Sequence, residues 1–73
     1  MPNFTGSYRA SELALMREAL AQAAERLGVL GDERAEADLA RAIMAARDAG
    51  ETQRAGLTTA AMCAFRRERG LER

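Results

Sequence analysis

Apolar residues recur along this chain at the three- and four-residue spacing of amphipathic helices, in three blocks separated by glycine. In the first block Leu13, Met16, Leu20, Ala23, Ala24 and Leu27 fall within an arc of about 100° when projected at helical pitch. Ser11 is the expected N-cap, Glu12 lies in the first turn, and Gly28 suits a left-handed C-terminal stop. The second block carries its stripe on Ala35, Leu39, Ala42, Ile43, Ala46 and Ala49, with Asp32 as N-cap and Gly50 as stop. The third places Leu57, Ala60, Ala61, Ala64 and Phe65 inward and frays near Gly70. Its start is open between Thr52 and Thr58, because Gly56 inside a helix costs about 1 kcal/mol.

The pattern predicts an all-α fold with helices over 11–27, 33–49 and 52–69, preceded by an arm over 1–10 that Phe4 and Tyr8 pin to the helices. Short connections between helices of similar length imply an up-down-up three-helix bundle forming one domain over 11–73. No stretch alternates in the manner of a strand, and Val and Ile occur once each.

Composition sharpens the picture. A chain of 73 residues buries only about 60% of the surface that its unfolded form exposes. The large residues expected inside are few: Leu13, Met16, Leu20, Leu27, Leu30, Leu39, Ile43, Leu57 and Phe65. Cys63 is the lone cysteine, which excludes an intrachain disulfide, and the chain has no His, so a zinc site is not expected. A small core without a staple is therefore expected to be completed by dimerisation.

Each helix also carries one large apolar residue roughly 100° to 160° from its stripe: Leu15, Met44 and Met62. Single exposed apolar residues are normal, but three of them beside a slight core point to a partner interface, and Met suits adaptable contacts.

Charge is balanced overall, with eleven Arg, no Lys and eleven acids, which disfavours a general attraction to nucleic acid or anionic lipid. It is not even along the chain. Residues 32–53 hold three Arg against six acids, and residues 54–73 hold five Arg against two. An acidic second helix and a basic third can attract each other within one chain or across two copies. Arg66, Arg67, Arg69 and Arg73 form the alternative site, a small nucleic-acid contact, although cations at a helix C-terminus are also explained by its dipole. A helix-turn-helix is not supported. Ala24 and Gly28 open its turn signature, but Arg34 falls where an apolar anchor belongs; Ala46 and Gly50 open it again, but Glu51 and Gly56 break the continuation.

Catalytic templates fail on composition. No His activates Ser, Thr or Cys63, and no Lys serves as nucleophile. Glu33, Glu36 and Asp38 cluster at a helix start, where acids serve capping. Gly28 and Gly31 lack phosphate-loop spacing, so no cofactor is expected. Cys63 reads as a small buried thiol. No apolar run is long enough to span a bilayer, and the start Met1-Pro2-Asn3-Phe4-Thr5-Gly6 has neither the basic nor the apolar region of a secretion signal, so a cytoplasmic location is expected.

The runs Glu12-Leu13-Ala14-Leu15-Met16-Arg17-Glu18-Ala19-Leu20, Leu39-Ala40-Arg41-Ala42-Ile43-Met44 and Ala49-Gly50-Glu51 resemble those of short helical proteins common in high-GC bacteria, to which no activity is assigned. That resemblance implies a helical fold and a bacterial, cytoplasmic setting. It carries no cofactor and no residue role. The expected function is a non-enzymatic protein-interaction or regulatory module that self-associates, with nucleic-acid binding as the alternative.

Overall fold

In the computed structural model, residues 8–70 are described, and three helices account for most of them: α1 (Ala10–Leu27), α2 (Glu33–Asp48) and α3 (Arg54–Glu68). Among the described residues there is no strand, and every helix packs against both others. Cross-helix pairs fix the direction of each. Glu12 near the start of α1 meets Arg47 at the end of α2, and Asp38 early in α2 meets Arg69 just past α3. Glu18 and Gln22 meet Arg54 and Thr58 in the same order, so α1 and α3 run in parallel. The order is up-down-up. Phe4, the rest of 1–7 and Arg73 lie outside the described residues.

Two of the three helix starts differ from expectation. Ser11 does not cap α1; Arg9 holds the N-cap position, and its backbone N–H donates to Glu12 Oε1 at 3.0 Å. A glutamate three residues past the cap reaches back this way whatever the cap side chain is. Asp32 caps α2 as expected, its Oδ1 accepting from Arg34 N at 3.1 Å and Ala35 N at 3.2 Å.

Neither Thr52 nor Thr58 caps α3, which starts at Arg54 and runs through Gly56. Glu51 is the reason. Its Oε2 accepts from the amides of Thr52 and Gln53, both at 3.1 Å, and a Cβ on Gly56 would overlap this carboxylate. Gly56 therefore makes room for a negative charge at the positive end of α3. Replacing Gly56 by alanine gains about 1 kcal/mol of helix propensity but evicts Glu51 from bonds that contribute about as much. The expected net change in urea-unfolding free energy is within about 0.5 kcal/mol of zero. A full 1 kcal/mol of stabilisation would show that the Glu51 contacts contribute nothing.

The helix ends follow the glycines. At Gly28, φ is 72°, and the pair Gly28 N–H to Glu25 O (3.1 Å) and Val29 N–H to Ala24 O (2.9 Å) closes α1 in a Schellman motif. Gly50 closes α2 in the same way, with bonds to Arg47 O and Ala46 O.

The core gathers Met16, Leu20, Leu39, Ile43, Leu57 and Phe65 with six alanines, among them Ala19 and Ala40, which lie off the expected stripes. Each helix faces two neighbours, so its buried arc is wider than the stripe that faces one. Ala49, read as part of the α2 stripe, is instead the exposed C-cap residue. Thr58 is the buried polar member, 1% exposed; its hydroxyl shares its hydrogen between Arg54 O (2.9 Å) and Gln22 Oε1 (3.1 Å) and so ties α3 to α1.

Candidate interaction surface

Polar contacts between helices come first, because they decide which charges are left facing outward. Glu12 is used twice: one oxygen holds the Arg9 amide and the other holds the Arg47 guanidinium across the α1–α2 seam. The two side chains are only 24% and 28% exposed, against 57% and 54% for Glu18 and Arg54, so screening weakens the second pair far more. Beside this seam the half-buried Tyr8 hydroxyl donates to Asp48 Oδ1 at 3.1 Å.

These contacts give stability a pH dependence with opposite signs at the two extremes. The Arg9 amide, and after it the Arg47 guanidinium, hold the Glu12 carboxyl below its ordinary 4.5. The unfolded chain then takes up this proton first, so the contribution is complete above pH 4.5 and is lost as pH falls through the depressed folded value. Desolvation, followed by the Asp48 carboxylate, raises the Tyr8 phenol above 10.0, so its contribution holds below that pH and fades as pH rises through the folded value. In thermal unfolding, Glu12→Gln should melt lower than the natural sequence at neutral pH, with the gap narrowing as pH falls below 4.5. A gap that persists in acid would exclude the ionised carboxylate as its source.

Leu15, Met44 and Met62 do not stand apart from the core as the helical projection suggested. Each is partly buried and packs against it, because the wider buried arc of a three-way bundle reaches them. Part of each side chain stays open to water. Leu30, expected inside, is the correction in the other direction: 63% exposed, it is the large hydrophobic residue that stands out among the described residues. The turn between α1 and α2 explains this. Val29 packs inward onto the core, and Leu30 and Gly31 are the central residues of a turn closed by Asp32 N–H to Val29 O at 3.0 Å, with Gly31 at φ 92°, which leaves the Leu30 side chain outside. Its position between Val29 and Gly31, outside both stripes, is the sequence signal that distinguishes it.

The arginine cluster is divided by the structure. Arg69 reaches Asp38 Oδ2 at 3.3 Å and lies 3.9 Å over the Phe65 ring, so it is engaged within the chain. This is the attraction between acidic and basic helices expected from the charge pattern. Arg66 and Arg67 are exposed on the last turn of α3, at the same end of the bundle as Leu30 and the start of α2. Asp38 also pairs with Arg41 one turn along α2.

Cys63 is half-buried on α3. Among the described residues, no three His, Cys, Asp or Glu side chains converge to hold a metal ion, and no helix is long and apolar enough to cross a membrane. No family model, curated protein or solved structure matches the chain, so the residues themselves carry the functional argument.

Proposed function

We propose that this chain is a non-enzymatic helical interaction module that self-associates as a homodimer. The observation that carries the reading is the composition of its interior. Six of the twelve core residues are alanine, while larger apolar side chains — Leu15, Leu27, Met44 and Met62 — are only partly covered and Leu30 is mostly bare. Alanine brings helices close but buries little area, so much of the apolar surface that would stabilise the fold lies at its margin. Covering that margin with a second copy removes it from water and adds stability that the single chain lacks. Nucleic-acid binding is the weaker reading, since Arg69 is held by Asp38 and Phe65.

Sedimentation and thermal unfolding across about 1 to 300 µM test this, because a folded dimer makes both mass and melting temperature rise with concentration. Doubling of mass with a rising melting temperature is the expected result. A chain that remains a monomer, with a melting temperature independent of concentration, overturns it.

A further inference from the structure

We propose that two copies meet at the end of the bundle that displays Leu30, related by a two-fold axis, with the acidic start of α2 in each copy facing the basic end of α3 in the other. This rests on the self-association reading above and specifies its surface.

Leu30 is held out by a fixed turn. The backbone bonds Val29 N–H to Ala24 O (2.9 Å) and Asp32 N–H to Val29 O (3.0 Å) close both sides of it, and Gly31 N–H donates to Glu36 Oε2 at 2.8 Å. An apolar side chain presented on an ordered turn loses little conformational freedom when it docks. Val29 beside it packs on the core, so a partner covering Leu30 extends the existing interior.

Charge selects the occupant. The exposed Glu33 opens α2 and the exposed Arg66 lies on the last turn of α3, and both belong to the end that carries Leu30. A uniformly acidic or basic partner would match one of these and oppose the other. A second copy turned by a two-fold axis matches both, since each surface then meets its own complement.

The test uses sedimentation of the full chain and three variants, each checked for helicity by circular dichroism. Leu30→Glu, at an exposed turn position, should leave the monomer folded and weaken dimerisation at least about tenfold. Glu33→Arg and Arg66→Glu should each self-associate poorly, because each places like charges opposite one another twice. Mixed together they should form a heterodimer, because both cross-pairs are then restored. If the natural chain dimerises and Leu30→Glu dimerises equally well, this surface is wrong while self-association stands. If the mixture gains nothing over the separate variants, the two-fold pairing is wrong. A natural chain that never dimerises removes both proposals.

Discussion

Leu39→Ala should remove about 2 to 5 kcal/mol of unfolding free energy, the largest loss expected of a single truncation in this interior. Leu39 is fully buried on α2, and the helices around it bring alanine to much of the shared interior. A cavity there has few long side chains able to swing in, so the cost should sit toward the upper part of the range. For a chain of this length the whole stability is about 4 to 11 kcal/mol. One deletion therefore removes a large share of it. Urea titration followed by circular dichroism reads the effect directly, with half-buried Leu27→Ala as the comparison. A loss at Leu39 under about 1 kcal/mol would mean that the bundle collapses onto the gap and that its interior is not closely fitted.

The parts of the fold legible in the sequence are those fixed by local chemistry. Asp32 caps α2 and the glycines at 28 and 50 end their helices, because a carboxylate near free amides and a left-handed residue act within four or five positions. The start of α3 was not legible in the same way. Gly56 reads as a helix breaker until Glu51 is seen to occupy the space that a side chain there would fill. Whether that carboxylate folds back is decided by three dimensions, not by spacing. Arg9 as a cap is similar: its side chain has no acceptor to offer the first-turn amides, and the position is held instead by Glu12 folding back to accept from the Arg9 N–H.

The candidate surface was legible in its charge and obscured in its apolar part. Acids gathered in 32–53 and arginines in 54–73 do approach each other, through Arg69 and Asp38. The outward residues were misplaced for one geometric reason. A projection onto one stripe assumes one neighbour, whereas each helix here has two, which draws Leu15, Met44 and Met62 toward the core. Leu30 shows the opposite error, because helical periodicity says nothing about a residue in a turn.

The alanines decide whether this interior is underfilled or closely fitted, and Ala19→Leu separates the two. Ala19 is fully buried on α1, and Ala40 on α2 is 3% exposed, so both helices present small side chains to the interior. If small residues merely leave space, a leucine fills it and the chain gains stability. If they set the distance at which helices pack, three added heavy atoms push α1 away from its neighbours. The burial supports the second outcome. Overpacking of this kind costs about 1 to 3 kcal/mol, enough with Leu39→Ala to abolish folding if the two effects add. They should not add fully, because a leucine in the shared interior can occupy part of the volume that Leu39→Ala vacates. The expected result is thus a destabilised single variant and a double variant less damaged than the sum. A stabilised Ala19→Leu would show that the helices have slack between them.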